Sequence, residues 1–81
     1  MSKEKPETDD IFEDRYGKKI RIDDRTYDIK DCFFVYILVF DVGSGKEYIE
    51  NDIVSLDVLK NCTYLGKSKA NVGELFDVAE D

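Results

Sequence analysis

Apolar residues in this chain come in short clusters separated by charged or glycine-bearing stretches. The longest cluster is Phe33-Phe34-Val35-Tyr36-Ile37-Leu38-Val39-Phe40. It is rich in aromatic and β-branched residues and too short for a typical helix, so it predicts a strand. Upstream, Lys18-Lys19-Ile20-Arg21-Ile22 alternates polar and apolar, the pattern of a half-buried strand with Ile20 and Ile22 inward. Asp23-Asp24 then makes a turn, and Thr26-Tyr27-Asp28-Ile29 predicts a second, weaker strand. Beyond the central run, Asp41-Val42-Gly43-Ser44-Gly45 has the composition of a hairpin loop, and Lys46-Glu47-Tyr48-Ile49 returns as a strand. Asp52 to Lys60 predicts a short helix or helical turn, with Asp52 or Ser55 as its cap and Ile53, Leu56 and Leu59 on one face. Cys62-Thr63-Tyr64-Leu65 closes the series as a short strand ended by Gly66.

Five short strands with tight turns and one helical turn before the last predict a mainly β fold. A small SH3-like barrel or a curled antiparallel sheet fits this pattern. The core belongs to one domain spanning residues 11–67. Residues 1–10, polar and holding Pro6, predict a disordered acidic arm, tied down by Ile11, Phe12 and Tyr16. Residues 68–81 predict an acidic tail or a docking segment around Leu75 and Phe76.

The central strand raises a question of cover. Side chains on a strand point alternately to its two faces. Phe33, Val35, Ile37 and Val39 share one face, and Phe34, Tyr36, Leu38 and Phe40 share the other. Both faces are apolar, whereas a strand buried on one side alternates. The second face requires cover from the helical turn, from the chain ends, or from another molecule.

Charge adds a second pattern. The net charge of -7 is unevenly placed. Residues 1–14 hold six acids against Lys3 and Lys5, and residues 68–81 hold four acids against Lys69, while residues 15–67 balance nine acids with nine bases. The excess thus falls in the two ends. Either it only solubilises the chain, or Asp9, Asp10, Glu13 and Asp14 steer the protein toward a basic partner surface. A basic strip, Arg15, Lys18, Lys19, Arg21, Arg25 and Lys30 with Tyr16 and Tyr27 among it, could bind a single strand of nucleic acid by charge and stacking. The interleaved Asp14, Asp23, Asp24, Asp28 and Asp31 and the anionic chain weigh against that reading.

Catalytic patterns are absent from the sequence. With no histidine, the commonest general base near neutral pH is missing, and so is any Ser-His or Cys-His pair. Cys32 and Cys62 alone do not supply a zinc site, and no segment follows a calcium-binding loop. Gly43-Ser44-Gly45-Lys46 is not a phosphate loop, because Phe40 occupies the first glycine position and Glu47 follows the lysine. No enzymatic activity, cofactor or metal is expected. The longest apolar run is eight residues and the N-terminus has no secretion signal, so the expected setting is the cytoplasm, with no membrane partner and reduced cysteines.

The segment Asp14-Arg15-Tyr16-Gly17-Lys18-Lys19-Ile20-Arg21-Ile22-Asp23-Asp24 resembles the opening of small SH3-like barrels of the YopX type, encoded by phages of Gram-positive bacteria. Tyr64-Leu65-Gly66 resembles their closing strand. Asp23 stands where that family usually has glycine. The resemblance implies a barrel fold and a mobile-element origin, and it carries over no functional residue.

These readings converge on a non-enzymatic protein-binding module. In the setting the resemblance implies, it binds and inhibits or redirects a host nuclease, polymerase or defence factor. The candidate contacts are Phe34, Tyr36, Leu38, Phe40 and Tyr48 together with Asp9, Asp10, Glu13 and Asp14. The alternatives are a homo-oligomeric structural subunit pairing through strand 33–40, and a nucleic-acid-binding small barrel.

Overall fold

A computed structural model describes residues 5–23, 31–68, 76 and 78. The expected strand Thr26–Ile29 lies outside the described residues. The strands are β1 (Asp10–Glu13), β2 (Lys19–Ile22), β3 (Cys32–Asp41), β4 (Lys46–Ser55) and β5 (Thr63–Lys67), with helix α1 (Leu56–Lys60) before β5. All pairings are antiparallel, in one sheet ordered β4-β3-β2-β1-β5. The sheet is open rather than closed into a barrel, with β4 and β5 as its two edges. Among the described residues no helix is long and apolar enough to cross a membrane.

Two element boundaries differ from the sequence pattern, each for a packing reason. β1 lies in a stretch too short to show a period, yet Ile11 and Phe12 are fully buried because β1 is sandwiched between β2 and β5. β4 continues through Ile53 and Val54 to Ser55, where a helix was expected from Asp52. Those β-branched residues pair with Phe34 and Phe33, so the ladder keeps them extended. The helix begins only at Leu56, with Ser55 as its N-cap, whose hydroxyl accepts a hydrogen bond from the Val58 N–H.

One face of the sheet holds the core. Phe12, Ile20, Ile22, Val35 and Ile37 meet Leu59 of α1 and Cys62, and Phe33, Val39, Val54 and Tyr64 pack around them. The Phe12 and Tyr64 rings lie 5.4 Å apart in a tilted arrangement. Cys32 and Cys62 are both free, and burial raises the Cys62 thiol above its usual pKa, with a smaller push from the Asp14 charge.

The pairing of β1 with β5 carries a bulge. Ile11 faces Gly66 and Phe12 faces Tyr64, so Leu65 is the extra residue. Gly66 has φ +130°, and a Cβ there would sit 2.8 Å from Val78 Cγ1. Gly66→Ala is therefore expected to destabilise the domain by about 1–3 kcal/mol, adding backbone strain to a clash. Gly17 also has positive φ but open space around it, so Gly17→Ala should lose only about 1 kcal/mol. Thermal melts of the two variants check this, and a Gly66→Ala melt equal to wild type would show that Val78 does not pack over β5.

Candidate functional surface

β3 and β4 are each ten residues long, while β1, β2 and β5 have four or five. The β3–β4 ribbon accordingly extends past the rest of the sheet. Its register places Phe34 opposite Ile53, Tyr36 opposite Asn51, Leu38 opposite Ile49 and Phe40 opposite Glu47, all on the outer face. On the other side of β3, Lys19 faces Leu38 and Arg21 faces Tyr36.

The outer face divides into two halves. Toward β5, Ile11 is fully buried and shares a cross-strand row with Arg21 and Gly66. Here Val78 stands over Gly66 and pairs with Ser68 in an isolated bridge. Val78 thus returns to the sheet and covers that end. Toward β4 the face is open: Phe40 is 59%, Ile49 45% and Ile53 42% exposed. Phe34, Tyr36 and Leu38 are half-buried between them. Helix α1 gives no cover here, because Leu59 packs into the core on the opposite side.

The acidic candidates have structural duties. Asp10 is fully buried at the start of β1. Its carboxylate accepts hydrogen bonds from the Glu7 N–H at 2.7 Å, the Tyr64 hydroxyl at 3.2 Å and the Lys67 ammonium at 3.2 Å. Asp9 pairs with Arg21 at 2.6 Å, its N–H donates to Ile22 and its carbonyl accepts from Ser68. Asp14 accepts from the Tyr16 and Lys18 N–H groups and so closes the β1–β2 turn. Glu13 is half-buried, facing Lys19 on one side and Thr63 on the other. Residues 7–10 are therefore woven into the fold, where the sequence pattern suggested a free arm, because Asp10 finds three donors inside it.

Tyr36 is half-buried beside Arg21, whose guanidinium carbon is 6.0 Å from the ring centroid. Tyr48 projects from the opposite face, across from Val39, and is 45% exposed. The Glu50 charge pushes the Tyr48 hydroxyl above its usual pKa, with smaller contributions from desolvation, a hydrogen bond to Glu50 and the charge of Asp41. That shift reflects a negative field along the ribbon. Residues 41–57 carry Asp41, Glu47, Glu50, Asp52 and Asp57 against Lys46 alone, a net -4. The neutral balance of residues 15–67 thus conceals a separation, with Arg15, Lys18, Lys19 and Arg21 at the β1–β2 end and the acids on the ribbon.

Two open depressions flank the ribbon. One, of about 490 Å³, lies between the β1–β2 turn and the hairpin, where Tyr16, Lys18, Lys19, Phe40 and Glu47 contribute to its wall. The other, of about 250 Å³, is lined by Phe34, Asn51, Asp52 and Ile53. Among the described residues, no three Cys, Asp or Glu side chains are grouped to share a metal ion. Sequence reasoning missed Ile49 and Ile53 as members of the outer face. Extending the hairpin register from the Gly43–Gly45 turn down both strands would have found them. No protein-family model, curated protein or solved structure matches the chain.

Proposed function

We propose that the protein is a non-enzymatic binding module that docks on another protein through the open outer half of its β3–β4 ribbon. The observation that carries this reading is the group Phe40, Ile49 and Ile53, each more than two-fifths exposed on one face beside half-buried Phe34, Tyr36 and Leu38. An apolar patch bordered by charge is the kind of surface that proteins use for association. The net -4 of residues 41–57 selects a partner with basic residues around an apolar centre, and steers its approach. In the phage setting implied by the resemblance, that partner is a host protein with a basic surface, such as a nuclease, polymerase or defence factor, which docking inhibits or redirects.

The test is affinity capture from host lysate with wild-type protein and with the double variant Phe40→Asp/Ile49→Asp. Both positions are exposed, so the variant should keep its fold and its far-ultraviolet spectrum. A stoichiometric partner held by wild type, reduced at least tenfold by the variant and released as salt rises, supports the reading. Equal retention by both proteins, or no stoichiometric partner, overturns it.

A further inference from the structure

We propose that the free edge of β4 is a strand-addition site that takes an extended lysine- or arginine-bearing segment of the partner as a sixth strand. The inference rests on the binding-module reading and names its mode. Among the described residues β4 is outermost in the sheet and pairs only with β3, through ten uninterrupted positions from Lys46↔Asp41 to Ser55↔Cys32. Its other edge presents backbone donors and acceptors over about 34 Å, at about 3.4 Å per residue. Residues 46–53 are all exposed. Neither a proline nor a register shift interrupts the strand, two of the devices that commonly blunt an edge.

One donor of that edge, the Ile53 N–H, is already taken by the Asp52 carboxylate at 2.8 Å; the rest of the edge is guarded by charge, mostly of one sign. Glu47 lies on the outer face, Glu50 and Asp52 on the inner, and Lys46 sits at the hairpin end. A second copy would bring the same acids and its own net charge of -7, so the edge repels itself. The same acids complement a basic strand. Apolar side chains border the edge on both faces, Ile49 and Ile53 outside and Tyr48 inside, beside which alternate apolar residues of an incoming strand would lie. The depression lined by Phe34, Asn51, Asp52 and Ile53 has room for a long side chain whose cation would reach Asp52.

The probe is a ten-residue peptide alternating lysine and valine, titrated into the full-length ¹⁵N-labelled protein. Expected are amide shift changes and slowed hydrogen exchange concentrated at residues 46–55, and affinity that falls at least tenfold with Glu50→Lys/Asp52→Lys. N-methylation of alternate peptide nitrogens, which removes pairing donors while keeping the charge, should also weaken binding at least tenfold. Equal binding of the methylated peptide, shifts centred on the β1–β2 turn, or no shift at millimolar peptide would overturn the inference. So would light scattering that shows a dimer whose β4 amides are already protected. If the peptide fails while Phe40→Asp/Ile49→Asp still loses its captured partner, docking is on the face and only the edge inference falls. If the peptide binds at β4 while capture is unaffected, the face reading falls instead.

Discussion

Phe12→Ala is expected to remove about 3–5 kcal/mol of stability and to lower the melting temperature by about 15–30 °C. Phe12 is fully buried in β1, a strand flanked by β2 on one side and β5 on the other. Its ring meets Tyr64 of β5, and its cross-strand neighbour is Ile20 of β2. One side chain thus ties both ends of the chain to the middle of the sheet. Small domains hold only about 5–15 kcal/mol in total, and a chain of this size sits toward the low end. The variant should therefore be substantially unfolded near 37 °C. Urea or thermal unfolding followed by circular dichroism measures the effect. A loss below about 1 kcal/mol would mean that the core is not centred on β1.

Asp10→Ala should cost about 2–3 kcal/mol, because it removes a fully buried carboxylate that accepts from Glu7, Tyr64 and Lys67. The Lys67 ammonium is half-exposed, with a side-chain accessibility of 48%, and recovers water once Asp10 is gone. It also keeps the Thr8 carbonyl at 3.2 Å. The Glu7 N–H and the Tyr64 hydroxyl lose a charged acceptor, and the buried site of the carboxylate is left without its polar group. Asp10→Asn retains an acceptor oxygen for Tyr64 and gives up only the charge-assisted part, so it should lose about 1 kcal/mol. The ordering Ala worse than Asn, read from denaturant midpoints at constant slope, separates the hydrogen-bonding role from simple burial. Equal stability of both variants with wild type would show that the carboxylate is not anchored between β1 and β5. Asp10 and Asp9 thus have partners inside the fold, whereas Asp41, Glu47, Glu50, Asp52 and Asp57 of the ribbon segment are exposed.

The division of labour across the sheet follows from strand length. Four- and five-residue strands suffice to frame the core with α1, and the ten-residue pair reaches beyond it. The part that overhangs has no layer to pack against, so Phe40, Val42 and Tyr48 face solvent there. Five acids against Lys46 give residues 41–57 a net charge of -4.

Local pattern was enough for the parts of the fold that local physics controls. The run 33–40 is a strand because its side chains are branched or aromatic on both faces. The Gly43–Gly45 loop is a turn because Gly45 takes φ +70°. A short helix capped by Asp52 or Ser55 was legible before the last strand, and the pairing of Ile53 and Val54 with β3 left Ser55 as the cap. The mainly β class and the helix before the last strand follow from these. Tertiary contacts alone decided the rest. β1 is a strand because β2 and β5 close on it from both sides, which four residues cannot announce. Asp10 is interior because Tyr64 and Lys67, more than fifty positions away, arrive with donors. The outer face of the sheet is covered at Gly66 of β5 and open along β4, because cover depends on where a distant residue such as Val78 comes to rest. Sequence fixes which faces are apolar, since alternation is a property of the strand. Which face finds a partner within the chain depends on long-range packing, which leaves no periodic trace.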